Sequence, residues 1–122
     1  MREINLAEDF SKHPAGRFKT DGPYSGELFR ESFLVPLVRD HEPTVIYLDG
    51  ARGYGSSFLE EAFGGLARQF STPVVNELIT FVSRDYTLIQ RINTYIKDAK
   101  GRKALAANNF ARRAMSAWTE PR

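Results

Sequence analysis

Ser56 and Ser57 are the residues of this chain whose type and neighbours could do chemistry. They follow Gly53-Tyr54-Gly55 and precede Phe58-Leu59-Glu60-Glu61. A serine at the start of a helix lies beside unpaired backbone N–H groups and the positive end of the peptide dipoles, a setting that suits a phosphate. Ser57 and Glu60 have the S-x-x-E spacing in which each side chain satisfies a backbone N–H of the other. Ser57 is therefore expected to cap the helix, leaving Ser56 just outside it with a free hydroxyl, as the candidate phosphoacceptor. Gly53 and Gly55 allow backbone conformations closed to other residues and let a partner approach. Glu60-Glu61 reads as a solvated face plus a cap rather than an acid/base pair.

Other constellations are thinner. Arg17, Asp21, Asp49 and Arg52 fall in loops or at strand ends. They are expected either to converge near Ser56, where the arginines would meet a phosphate or a carboxylate, or to form a structural ion-pair network. His13 and His41 each stand beside or near a proline in a loop, without metal-ligand spacing. No base is placed to activate a serine nucleophile, and Gly53-x-Gly55 lacks the lysine of a phosphate loop and the third glycine of a dinucleotide fingerprint. No catalytic set, metal or cofactor is expected. A small serine-dependent hydrolase or transferase using Ser56 is the weakest of the classes considered.

The 122 residues suit one domain with a real core, and 42% hydrophobic with 26% charged residues is ordinary for a globular protein. The absence of cysteine excludes disulfides and thiolate chemistry. No apolar run reaches membrane-spanning length and the N-terminus has no signal-peptide core, so a cytoplasmic protein with no membrane partner is expected. The net charge of +2 is uneven. Residues 97–122 carry seven basic and two acidic side chains, and the remainder carries a net −3. Lys97, Lys100, Arg102, Lys103, Arg112 and Arg113 thus form a basic segment, which would attract nucleic acid through counterion release. The other reading of that segment is a solvated helix face that docks Phe110 and Trp118.

The elements that must position the serine turn are legible in the hydropathy pattern. Ile4 and Leu6 alternate as a short strand, and Gly16–Lys19 suggests a second. Ser25 is an N-cap signal for a helix with Leu28, Phe29, Phe33, Leu34, Leu37 and Val38 on one face, kinked or ended near Val35 by Pro36. Thr44–Leu48 has no polar alternation, as in a central strand buried on both faces. After the serines, Leu59, Ala62, Phe63, Leu66 and Phe70 form a helical stripe containing Gly64-Gly65. Two glycines inside a helix cost about 1 kcal/mol each relative to alanine, so this helix is expected to pack closely against the sheet or a partner. Val74–Leu78 reads as a short helix or turn and Ile79–Ser83 as a strand. Asp85 caps a helix bearing Leu88, Ile89, Ile92, Tyr95 and Ile96. The pattern predicts an α/β domain with a small mixed sheet over residues 1–100, then a basic amphipathic helical extension over 101–122.

The stretch DGARGYGSSFLEEAFGGL, with FSKHPAGRFKTDGPYSGELFRESFLVPL before it, closely resembles the STAS-like domain family of unknown function. The resemblance spans roughly Ile4 to Ile96. That family is similar, at a distance, to the STAS domains of bacterial anti-sigma-factor antagonists, whose matching turn reads Asp-Ser-Ser-Gly. In those proteins the first serine is phosphorylated by an anti-sigma factor that is itself a GHKL-type ATP-dependent serine kinase, and the phosphate releases the partner. Ser56 matches the phosphorylated serine and Ser57 the one after it. Gly55 stands in place of the aspartate, and Phe58 in place of the glycine.

The resemblance implies a non-enzymatic signalling module that switches partners. Its GHKL-type ATPase or kinase would be bound through Arg52, Gly53, Tyr54, Gly55, Ser56, Ser57, Phe58 and Glu61, with an exposed Phe58 as apolar anchor. A nucleic-acid-associated accessory protein is the alternative, and self-association is left open.

Overall fold

The structure, a computed structural model, describes residues 1–99. The expected helical extension, with Phe110, Trp118 and the basic residues from Lys100 to Arg113, lies outside the described residues. Strand β1 (Arg2–Asn5) leads into one wide turn, Leu6–Phe10, which the Asn5 side chain caps by accepting the Glu8 N–H. The second strand expected at Gly16–Lys19 is absent, and a 3₁₀ turn, Lys19–Asp21, stands there with the Phe18 N–H bonded to the Asp21 carboxylate.

Ser25 accepts the Leu28 N–H and caps helix α1, which runs 26–39 through Gly26–Phe29, Arg30–Leu34 and Val35–Arg39. The helix does not end near Val35 but passes through a change of helical pitch there. The Val35 N–H bonds to the Arg30 carbonyl, five residues back, so the helix has already widened into a π turn where Pro36 would crowd an α-helical carbonyl. It continues to Arg39.

Strand β2 (Thr44–Tyr47) lies between β1 and β3 (Ile79–Val82), as its apolar run predicts. Both pairings are parallel, with Ile4 opposite Ile46 and Ile46 opposite Phe81. The small mixed sheet expected is thus a parallel one among the described residues. Helix α2 runs 56–69 through Ser56–Leu59, Glu60–Gly64 and Gly65–Gln69, and α3 is Thr72–Leu78, capped by Ser71. Asp85 caps α4, which runs 86–99, by accepting the Leu88 N–H.

The core lies between one face of the sheet and the helices. Phe29 of α1 packs against Phe58 and Phe63 of α2 with ring centroids 6.0 and 6.1 Å apart, and Phe63 meets Phe81 of β3 edge-on at 5.0 Å. Full burial of each such side chain contributes about 1.5–3 kcal/mol. On the other sheet face Val45 and Tyr47 are half-buried, and Thr80 and Val82 are exposed, so β2 is not buried on both faces as its sequence predicts.

Helix α2 is buried almost all round from Phe58 to Ala67, because α1, the sheet and α4 each take a side of it. That environment accounts for its glycines. A Cβ on Gly65 would stand 2.6 Å from Arg30 Nη1, and one on Gly64 would stand 3.3 Å from the Tyr95 carbonyl of α4. Gly26 of α1 is tighter, since a Cβ there would lie 2.5 Å from the Phe58 carbonyl and 3.0 Å from Glu61 Cβ. Backbone cannot yield as a side-chain tip can, so Gly26→Ala must push α1 off α2. The expected loss is about 1–3 kcal/mol, read as a lower urea midpoint at unchanged m-value. An unchanged midpoint would show that the helices have slack at this crossing.

Candidate functional site

Two strand-to-helix turns meet at the carboxyl end of the parallel sheet, where open α/β sheets present their crevices. The first follows β2 through Leu48-Asp49-Gly50 to Ser56, and the second follows β3 through Ser83-Arg84-Asp85 to α4. Asp49 ties them together. Its carboxylate accepts the Ser83 hydroxyl at 2.8 Å and the Arg84 N–H at 3.1 Å. Gly50 has φ +103°, a conformation side chains disfavour, and turns the chain over Ala7. The Arg52 N–H bonds to the Lys12 carbonyl at 2.8 Å and fixes the turn against the N-terminal loop. Between the two turns lies an open polar cleft of about 390 Å³, with Asp49, Arg52, Tyr54, Asp85 and Arg91 on its walls.

Ser56 is the first residue of α2 and is exposed, with its Oγ 3.4 Å from Arg91 Nη2 of α4. The helix cap differs from expectation. Gly55 is the N-cap, in extended conformation, and no side chain caps the helix. Ser57 is exposed one residue inside the helix, and Glu60 turns away from it into the protein, so the capping box does not form. Gly53 and Gly55 have no positive φ, and a Cβ on either would meet nothing within 4 Å. They leave bare backbone at the surface rather than relieve strain.

Phe58 is not an exposed anchor. It is 0% exposed and packs against Phe10, Phe29 and Tyr54. Glu61 is 8% exposed and equally out of a partner's reach. Tyr54 braces the turn by donating its hydroxyl to the Leu48 carbonyl at 2.6 Å. The exposed aromatic that the sequence reading missed here is Tyr86, 70% exposed at the start of α4. It stands off the Leu88-Ile92-Ile96 stripe, and an aromatic outside an apolar stripe is the signal that marks it.

The four residues expected to converge near Ser56 divide. Asp49 and Arg52 line the cleft. Asp21 serves its own turn. Arg17 joins a separate cluster, and here the reading of Glu60-Glu61 as a solvated face is overturned. Glu60 is 3% exposed and accepts hydrogen bonds from Arg17 and Arg68. Glu61 accepts from Arg30 at 2.5 Å and from Arg17 at 3.2 Å. The π turn Glu60–Gly64 inserts an extra residue into the helical turn, and both carboxylates are buried beside it. Two adjacent buried carboxylates require paired cations to stay charged. Hydrogen bonding to Glu60, opposed by burial, raises the already high pKa of Arg17. The arrangement braces the fold and leaves neither carboxylate disposed for acid/base work. Lys97 is exposed on α4, and the rest of the basic segment lies outside the described residues. Among the described residues no group of His, Asp and Glu is placed to hold a metal ion, and no helix is long and apolar enough to cross a membrane.

The family described as a STAS-like domain of unknown function matches residues 25–86, from the α1 cap to the start of α4. No curated protein and no solved structure matches the chain.

Two measurements test the site. Glu61→Gln leaves the half-buried Arg30 without a charged partner and is expected to cost about 3 kcal/mol in chemical unfolding. A loss below about 0.5 kcal/mol would mean that the pair behaves like an exposed one. Burial, helped by the charge of Asp49, raises the Tyr54 pKa above its ordinary 10.0. The unfolded chain therefore ionises first, and the stabilisation present below pH 10 is lost as pH rises past it. Stability measured between pH 8 and pH 11 should accordingly fall more steeply for the wild type than for Tyr54→Phe; parallel profiles would place the phenol in water.

Proposed function

The chain belongs to the family of STAS-like domains of unknown function, and from that premise we propose that it is a non-enzymatic regulatory module. It binds a GHKL-type ATPase or kinase through the Gly53–Ser57 turn and is switched by phosphorylation of Ser56. The observation that carries this reading is the placement of Ser56. Its hydroxyl is exposed on a bare, glycine-flanked turn and meets Arg91, which lines the polar cleft, while the residues around it brace the turn from beneath. A protein partner can approach such a turn without a side chain in the way. With Phe58 buried, the apolar anchor passes to Tyr86, and the binding set becomes Arg52, Gly53, Gly55, Ser56, Ser57 and Tyr86.

The chemistry belongs to the partner. Ser56 Oγ attacks the γ-phosphorus of ATP held there, an O–P bond forms as the bond to ADP breaks, and the hydroxyl proton passes to a base on the kinase. The added charge of about −2 and three acceptor oxygens change what the turn can pair with. Without an aspartate at residue 55, the charged group in contact with the hydroxyl is a cation, Arg91.

The test is reconstitution with purified GHKL-type ATPases from the source genome. Incubation with ATP should place phosphate on Ser56, mapped by mass spectrometry, and Ser56→Ala should remove it. Binding measured by calorimetry should weaken at least about tenfold for Ser56→Asp, and by a similar factor for Tyr86→Ala. Phosphate on neither serine, together with undiminished binding of Ser56→Asp, would overturn the reading.

A further inference from the structure

Arg91 is a polar group of the cleft that the turn itself does not explain. It projects from α4, the helix after β3, and reaches Ser56 Oγ of α2 at 3.4 Å. Among the described residues it has no ion-pair partner, although Asp49 and Asp85 line the same cleft. Asp49 is occupied by the Arg84 N–H and the Ser83 hydroxyl, and Asp85 by the cap of α4. Each carboxylate is thereby directed at backbone or hydroxyl donors. The Arg91 guanidinium is left as a cation facing an uncharged hydroxyl, a weak contact in water and a strong one once that oxygen bears a phosphate.

We propose that Arg91 is the intramolecular receptor of a phosphate on Ser56, so that phosphorylation clamps α4 to α2. The inference rests on Ser56 as the modified residue and adds where its charge goes. A phosphoryl oxygen extends beyond Ser56 Oγ toward the guanidinium, whose planar fork suits two oxygens at once. Arg52, exposed and without an ion pair among the described residues, supplies a second positive charge on the cleft wall. The opposing charges of Asp49 and Asp85 are held apart by their own hydrogen bonds. Clamping acts on α4 because, among the described residues, it is held mainly by the apolar contacts of Leu88, Ile89, Ile92, Tyr95, Ile96 and Ala99, with a hydrogen bond from the Thr72 hydroxyl to the Ile96 carbonyl. The modified serine thereby gains a mechanical output: the position and mobility of the helix that carries Tyr86 and leads into the basic segment.

The experiment uses the full chain with phosphoserine installed at residue 56 during translation, so that it needs no kinase. Phosphoserine is expected to raise the melting temperature and to slow amide exchange over 86–92 by roughly tenfold, the factor of one charge-assisted contact. In Arg91→Gln both effects should vanish, in Arg91→Lys they should be partly restored, and in the wild type they should shrink in high salt. The unmodified form of each variant is its own reference, which separates loss of coupling from loss of stability. Equal shifts in wild type and Arg91→Gln, or no shift in the wild type, would overturn the proposal. Failure of the partner kinase to modify Ser56 would instead overturn the switch and leave this measurement standing.

Discussion

Two adjacent carboxylates buried inside helix α2 are the constraint around which this fold is arranged. Glu60 and Glu61 cannot be taken out of water as charges unless cations follow them. Those cations come from three separate places: Arg17 in the loop before α1, Arg30 in α1 and Arg68 in α2 itself. Meeting that demand brings α1 and α2 close enough that Gly26 has no room for a Cβ, and it requires glycine at Gly65 so that the Arg30 guanidinium can pass. The cluster's stabilising value lies less in net free energy than in fixing one arrangement, because breaking one side leaves a buried charge.

The π turns follow from the same demand. Each helix facing this cluster widens once, α1 over Arg30–Leu34 and α2 over Glu60–Gly64, and the two wide turns lie against each other. An extra residue per turn rotates everything after it by about 100° relative to a regular helix. Beyond Phe58, α2 is buried on nearly all sides because α1, the sheet and α4 each cover one of them. The serine turn sits directly upstream, anchored by Phe58 and Tyr54 below and by Asp49 and Arg52 at its flanks, so the exposed hydroxyl is carried by rigid neighbours.

The polar cleft and the ion cluster are thus separate parts of one machine. The cluster holds α2 and therefore the position of Ser56, while the cleft decides what Ser56 meets. Asp49 performs a similar service on a smaller scale, since one carboxylate spans both strand-to-helix turns and keeps Arg91 opposite the serine. A binding turn made largely of glycine and serine has little packing of its own, and its order is borrowed from these neighbours.

Much of this was readable from local chemistry. Ser25 and Asp85 announce helix starts because a short oxygen side chain satisfies an N–H two or three residues on, a contact that needs no tertiary structure. The apolar run Thr44–Leu48 announces the middle strand, and the glycine-serine stretch announces the exposed turn. Charge and proline misled, for a common physical reason: the stability of a buried charge or an interrupted helix depends on partners distant in sequence. Glu60-Glu61 looks like a solvated face until Arg17 and Arg30, more than thirty residues away, neutralise it. Pro36 looks like a helix end until a π turn accommodates it, and Phe58 looks like an anchor until Phe10 and Phe29 enclose it. Arg91 lies 35 residues beyond Ser56 with no motif to connect them. Only the parallel crossover that returns the chain to the same end of the sheet brings the two together, so the sequence by itself determined the turn and its serine, and the tertiary structure decided which charge that serine faces.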